Sequence, residues 1–185
     1  MGQDDARGPI HRKIPEGDNR ERLVCNDCGF VHYSNPKVVV GSVAHWEGGV
    51  LLCRRAIEPR TGYWTLPAGF MEEGETTEQG ARREAREETG AELEFDHLLG
   101  VYNIPRISQV QVIYAARLLS PKVEALEETL EVGLFGWETI PWDDLAFPSV
   151  HWALNDWKAA RDTGDFAART NPEGDFGNAL PPQRS

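Results

Sequence analysis

Apolar and polar positions alternate along this chain with a period that changes several times, and each change marks an element. The run KVVVGSVAHW from Lys37 is rich in β-branched residues, Gly48-Gly49 breaks it and VLLCRR resumes it, so residues 37 to 55 read as a hairpin. YWTLP, Tyr63 to Pro67, is a further short strand. At Thr77 the period becomes helical. Ala81, Ala85 and Thr89 fall on one narrow face at about 100° per residue. Thr76 and Gln79 stand in capping-box spacing, and Gly90 follows where a left-handed residue ends a helix, which predicts a helix over Thr77 to Thr89. Beyond it the pattern predicts strands over 92 to 103, Gln109 to Leu119 and Val132 to Trp137. A turn into a helix is expected across Ile140 to Phe147, and a last helix from Ser149 to about Arg161. Strands interleaved with helices predict an α/β chain, an α/β/α sandwich around a mixed β-sheet.

The two ends read differently. Residues 1–36 form an N-terminal arm whose first 22 or so residues mix charge, glycine and proline without a period, so little regular structure is expected there. Cys25-Asn26-Asp27-Cys28-Gly29 then makes a C-x2-C-G knuckle, half of a zinc site. Packing of Phe30 and Tyr33 and the turn at Asn35-Pro36 are expected to hold the arm after Cys28. The main domain is expected over 37–161. Residues 162–185, dense in Gly, Asn and Pro, read as a poorly ordered tail.

Composition narrows the partners. The chain has 185 residues, 40% of them hydrophobic, enough for one domain with a proper core and an appendage. Its apolar runs are strand-length and its first 24 residues are polar and charged, so neither a membrane span nor a signal peptide is expected. Three cysteines make no disulfide framework, which suits a reducing cytoplasm. A net charge of -11 without a basic cluster argues against nucleic acid and anionic membranes. A small polyanion is acceptable only where metal ions invert the local field.

The helix Thr77 to Thr89 offers such a place. Glu84, Glu87 and Glu88 are i,i+3 and i,i+4 neighbours, and like charges at that spacing disfavour a helix by a few tenths of a kcal/mol per pair, so a cation is expected among them. Hard divalent ions take carboxylate oxygens, and magnesium binds a few carboxylates together with substrate phosphates. Arg83 precedes Glu87 by four and reaches back toward Glu75, which makes it an orienting residue. A lone E-x-x-E-E is most simply a solvated acidic face; Gly69, Glu75 and Arg83 in register favour the functional reading. Arg55 is either a solvated strand end or a contact to substrate phosphate, and Cys53 is a buried apolar residue. Trp64, which also suits the core, and Gln109, beside the loop Ile104 to Ser108, are further candidate substrate contacts.

Gly69, Glu75, Arg83, Glu84, Glu87, Glu88 and Gly90, with Ala85 and Ala91 in the small-apolar slots, spell G-x5-E-x7-R-E-U-x-E-E-x-G-U. That is the Nudix box, and the chain resembles the Nudix hydrolases. KVVVG, LLCRRAI, GYWTLPAGFMEEGE, IPRISQ and IPWDDLAF resemble the subgroup of FAD and ADP-ribose pyrophosphatases with an N-terminal zinc-ribbon-like arm. The resemblance implies the Nudix sandwich and a metal-dependent pyrophosphohydrolase that cuts a nucleoside diphosphate linked to another moiety, ADP-ribose or FAD, releasing AMP. It implies Glu84, Glu87, Glu88 and the Gly69 carbonyl as ligands of Mg2+ or Mn2+, with Glu75 supporting them through Arg83. It also implies a general base outside the box, for which Glu131 is the candidate. Related arms bind zinc through two C-x2-C pairs, the first of which falls here on Gln3 and Ala6. Structural Zn2+ is therefore not expected, since Cys25 and Cys28 remain with only His11 or His32 as substitutes. Related NADH pyrophosphatases carry S-Q-P-W-P-F-P-x-S, whereas here Ser108-Gln109 is followed by Val110-Gln111-Val112. Two other functions share the box: a house-cleaning nucleoside triphosphate pyrophosphatase, and a catalytically silent ligand-binding regulator, against which the intact glutamates argue. The expected partner is a small nucleotide, with a second copy of the chain, as a homodimer, also admitted.

Overall fold

A computed structural model of the chain describes residues 7–179. The chain divides into two compact units, Met1–Pro36 and Lys37–Ser185.

In the first unit β1 (Pro9–Lys13), β2 (Arg22–Cys25) and β3 (Val31–His32) form a three-stranded antiparallel sheet. The expectation of little regular structure over the first 22 residues is thus corrected from Pro9 onward. One aspartate supplies what the periodicity lacked. Asp18 Oδ1 accepts from the Asn19 and Arg20 N–H groups at 2.7 and 3.2 Å, and Oδ2 takes Arg22 Nε at 2.9 Å, closing the turn between β1 and β2. The knuckle is a tight turn in which Cys25 N–H donates to Phe30 O at 2.8 Å and Gly29 N–H to Cys25 O at 2.9 Å. Phe30 and Tyr33 are both 57% exposed, so they do not hold this segment by packing as expected. Backbone pairing does that instead.

The second unit is built on β4 (Lys37–Trp46), β5 (Gly49–Arg55), β6 (Trp64–Thr65), β7 (Ala68–Phe70), α1 (Thr77–Thr89), β8 (Leu93–Ile104), β9 (Gln109–Leu118), β10 (Thr129–Phe135) and α2 (Pro148–Thr163). The sheet runs β10-β5-β4-β9-β8, with β6 on β5 and β7 on β4. Among the named strands of the described residues only β4 and β9 pair in parallel, so the sheet is mixed. β4 and β5 pair only at His45 with Val50 and Trp46 with Gly49. Past that turn they part. β4 takes β7 at Val39–Gly41, while β5 takes β6 at Cys53 and Arg54, and this divergence opens the sheet where the box begins.

α1 forms where its caps place it. Gln79 N–H donates to Thr76 Oγ1 at 3.2 Å, Thr76 N–H donates to Gln79 Oε1 at 2.8 Å, and Gly90 closes the helix at φ 64°. Ala81 packs with Val40 and Tyr114, and Ala85 with Ala44, Leu51 and Ala116, on one face of the sheet. Gly80 brings the helix closer still, since a Cβ there would lie 2.7 Å from Val40 Cγ2. On the other face Val150, Trp152, Ala153, Leu154 and Trp157 of α2 join Val43, Leu52, Leu99 and Ile113 in the larger core. Two layers of helix therefore enclose the sheet, and among the described residues no helix is long and apolar enough to cross a membrane.

Three segments differ from expectation. β10 starts at Thr129 rather than Val132, because antiparallel pairing with β5 begins at Arg55. The helix expected across Ile140 to Phe147 is reduced to a 3-10 turn, Trp142–Asp144. Ala146 N–H donates to Trp64 O at 2.8 Å and Leu145 bridges Trp64, which pins the chain in extended form. The tail, expected to be poorly ordered, runs beside β8 over its described part. Arg169 N–H donates to Leu99 O at 2.8 Å and Val101 N–H to Arg169 O at 2.9 Å. Asn171 Oδ1 accepts from Asn103 N–H at 2.7 Å, and its Nδ2 donates to Asn103 O and Asp175 O at 2.8 and 2.9 Å. β8 is an edge strand whose free N–H and C=O groups recruit a partner that hydrophobic pattern cannot announce.

Candidate active site

Arg83 organises the acidic flank of α1. Its Nε donates to Glu75 Oε2 at 3.1 Å, and its Nη2 to Glu75 Oε1 at 2.8 Å and Phe70 O at 3.0 Å. Nη1 reaches Glu84 Oε1 at 2.7 Å and Glu87 Oε2 at 3.0 Å. The same Glu75 accepts from Glu72 N–H at 2.7 Å. One guanidinium thus staples the loop after β7 to the helix, and the bonds it makes push Arg83 up and Glu75 down from their ordinary pKa values.

Glu84 lies against the β7 backbone, its carboxylate filling the space that a Cβ on Gly69 would occupy. Burial raises Glu84 against the pull of Arg83, and the charges of Glu87 and Glu128 add to the rise. Glu88 sits on the flank that a lone E-x-x-E-E would leave solvated. It is instead only 8% exposed, with Oε2 accepting from Ala68 N–H at 3.1 Å and lying 3.6 Å from Cys53 Sγ. Burial, reinforced by the charge of Glu84, pushes Glu88 up to about 8. Cys53 is buried as expected, and its thiol is raised well above its ordinary value, so it faces Glu88 as a neutral donor.

These groups open on a cavity of about 780 Å³. Thr65, Leu66 and Ala68 to Phe70 form one wall with Glu84, Glu87 and Glu88; Arg55, Ile57 to Arg60 and the Glu127-Glu128 turn form another. Val39, Gln109, Gln111 and Ile113 line it from β4 and β9, and Phe147 to Val150 close it where α2 begins. Of the expected residues, Gly69, Glu84, Glu87, Glu88, Arg55 and Gln109 therefore line the cavity, while Glu75 and Arg83 brace it from behind. Arg55 spreads over the Phe147 ring at 5.3 Å and donates from Nε to Pro59 O at 2.8 Å.

Trp64 and Glu131 do not line it. Trp64 is buried with its ring edge-on to Phe135 at 4.9 Å, the core alternative of its reading. Glu131, on the edge strand β10, is exposed and faces Arg54 at 3.4 Å. In its place the sequence pattern failed to single out Glu127 and Glu128. Both lie in the acidic stretch Glu124 to Glu131, where nothing local marks which member turns inward. Glu128 does so by taking a left-handed backbone, φ 66°, where its carbonyl accepts from Ala56 N–H at 2.8 Å. Ser149 and Gln111 also escaped notice, since nothing local marks them.

The donors suit a hard divalent cation: carboxylates raised by burial and mutual repulsion, beside the exposed end of a glycine backbone. As they stand, no three Asp, Glu, His or Cys groups converge for a metal among the described residues. Arg83 holds Glu84 and Glu87, and Glu87, with 58% of its side chain exposed, is the one free to turn. In the first unit Cys25 is buried and Cys28 exposed, and the N–H groups of Cys28 and Asp27 lower the Cys25 thiol. Gln3 and Ala6, on which the missing pair falls, lie outside the described residues.

Residues 35–161 match the family model of the NUDIX domain, and residues 8–34 the model described as Nudix N-terminal, a zinc-ribbon family. The chain belongs to the Nudix hydrolases. This family acts on phosphoric anhydrides, and the chain is accordingly a pyrophosphohydrolase. A crystal structure of a Nudix hydrolase from Nitrosomonas europaea is 46% identical with a TM-score of 0.84, covering 90% of this chain and 94% of that one. The ADP-ribose pyrophosphatase of Methanocaldococcus jannaschii is 31% identical over 113 residues, 59% of this chain and 67% of that protein. The NAD-capped RNA hydrolase NudC of Vibrio atlanticus is 36% identical over 77 residues, but only 28% of its length is covered.

Proposed function

We propose that this Nudix enzyme uses Mg2+ or Mn2+ to cleave the pyrophosphate of a nucleoside diphosphate linked to a second moiety, ADP-ribose or FAD, releasing AMP. The observation that carries the reading is the pair Glu84 and Glu88, a half-buried and a buried carboxylate held side by side at a large cavity. Arg83 offsets the charge of Glu84, but burying Glu88 as a second carboxylate beside it is unfavourable, a cost that a bound metal cation would relieve. Glu84, Glu87, Glu88 and the Gly69 carbonyl would hold the metal. When bound, it neutralises pyrophosphate charge and acidifies the attacking water.

The protein's own part is positioning. Arg83 fixes Glu84 and, through Glu75, the loop that carries Gly69. Arg55, close enough to Glu88 to lower it, turns its remaining N–H groups to phosphate. We place the general base on the Glu127-Glu128 turn, at Glu128, rather than at Glu131, because Glu128 lines the cavity beside Glu84. It takes the proton from water as the new P–O bond forms and the anhydride P–O bond breaks, giving AMP and the phosphorylated second moiety.

The ADP-ribose pyrophosphatase relative supports the substrate class. The absence of the S-Q-P-W-P-F-P-x-S continuation after Ser108-Gln109 argues against selection of a nicotinamide dinucleotide. Rates on ADP-ribose, FAD, NADH, diadenosine polyphosphates and nucleoside triphosphates, with each metal, test the reading. AMP should appear from ADP-ribose or FAD and vanish with a chelator. Nucleoside triphosphates turned over a hundredfold better than either would overturn it.

A further inference from the structure

Glu88 meets the rest of the fold through one oxygen only. Its Oε2 accepts from Ala68 N–H at 3.1 Å and from the Cys53 thiol at 3.6 Å, two donors that arrive from different strands, β7 and β5. Among the described residues nothing donates to Oε1, although Glu88 is only 8% exposed and lines the cavity. An ionised carboxyl has about four acceptor positions. The fold occupies those of Oε2 and leaves those of Oε1 to whatever enters the cavity.

The thiol has a second acceptor within reach, Thr65 O, also at 3.6 Å. A hydrogen bond to a charged oxygen is roughly twice as strong as one to a neutral carbonyl, so the S–H turns to Glu88. Cys53 is 1% exposed, which keeps solvent from competing for that bond. If Cys53 only filled space, an apolar side chain of similar size would serve equally well, and the strand β5 favours valine there. We infer that Cys53 is a positioning residue of the metal site: its S–H, with Ala68 N–H, holds Oε2 of Glu88 within the protein, and Glu88 takes the divalent cation through Oε1. Mg2+ demands near-ideal octahedral geometry, which a carboxyl free to swing between one-oxygen and two-oxygen contact serves poorly. Groups that orient a metal ligand in this way matter to affinity nearly as much as the ligand does. The inference rests on the reading of Glu88 as a metal ligand.

The test is metal binding without turnover. Mn2+ is titrated calorimetrically into metal-free full-length protein in the absence of substrate, for wild type, Cys53→Val, Cys53→Ser, Glu88→Gln and the double variant Cys53→Val/Glu88→Gln. Valine fills the space without a donor, and serine keeps a donor of shorter reach; melting temperatures check each fold. Cys53→Val should weaken Mn2+ binding by about tenfold, the low end of what losing a ligand-orienting group costs, with Cys53→Ser between it and wild type. In the Glu88→Gln background the same valine should change nothing further, because the group that Cys53 positions no longer binds metal. Mn2+ affinity that is unchanged or tighter in Cys53→Val overturns the inference, as does a loss of the same size with and without Glu88, which marks a packing effect. Should the valine variants not fold, Cys53→Ser alone and with Glu88→Gln carries the same comparison with the same two refuting results. Glu88→Gln that binds Mn2+ like wild type is a different pattern: it removes the metal reading of Glu88 and the role of Cys53 with it.

Discussion

Replacing Glu88 by Gln separates function from stability in a way the structure makes quantitative. In the unfolded chain this carboxyl titrates near its ordinary value of 4.5, whereas burial and Glu84 push it up to about 8 in the fold. A carboxylate raised on folding binds more protons in the native state, so stability falls as pH rises through that window. It is highest below about 4.5 and lowest above about 8. At pH 7, with about 1.4 kcal/mol per unit, the charge-related loss approaches about 3 kcal/mol. A neutral amide escapes it, and its oxygen still accepts from Ala68 N–H, although its new NH2 group wants a partner. A gain of about 1–3 kcal/mol is left, a rise of roughly 3 to 10 °C in melting temperature for a chain of this size. Calorimetric scans of chelated protein from pH 4.5 to 8 should show the variant above wild type at pH 7, converging with it at the acid end. Saturating Mg2+ should raise only wild type, and kcat of the variant should fall by about two orders of magnitude or more. A variant no more stable than wild type at pH 7 would refute the burial argument. One within about threefold of wild-type kcat would refute the metal assignment.

Three further outcomes are expected. Glu128→Gln should lower kcat by about 10²- to 10⁴-fold, as for loss of a general base, with Glu131→Gln within about threefold of wild type; the reverse order in steady-state rates would return the base to β10. Asn171→Ala removes three hydrogen bonds that tie the tail to β8, about 2 kcal/mol of docking, so hydrogen exchange at Asn103 should quicken and the KM for ADP-ribose rise severalfold. Unchanged values would make the tail a passive strand. Elemental analysis of protein purified without chelator should find well under one zinc per chain after dialysis; a full equivalent that survives would mean that histidines complete the site with Cys25 and Cys28.

α1 was legible to the residue because everything that defines it is local: the Thr76–Gln79 box at one end, Gly90 at the other, the small stripe between. The box glutamates, Arg83 and Gly69 were legible for the same reason, as spacing on one helix and its preceding loop. The mixed sheet followed from β-branched runs long enough to commit to strands. Tertiary structure decided whatever depends on a partner distant in sequence. Glu88 is buried because β5 and β7 lie against it, so the flank that looks open on a helix is closed by Cys53 and Ala68. Glu128 rather than Glu131 faces the cavity because one left-handed residue turns the chain before β10 pairs with β5. The tail docks because β8 has an unpaired edge. Local pattern reports what a segment does with itself; burial and unsatisfied hydrogen bonds arise between segments, and there the chemistry of this site was settled.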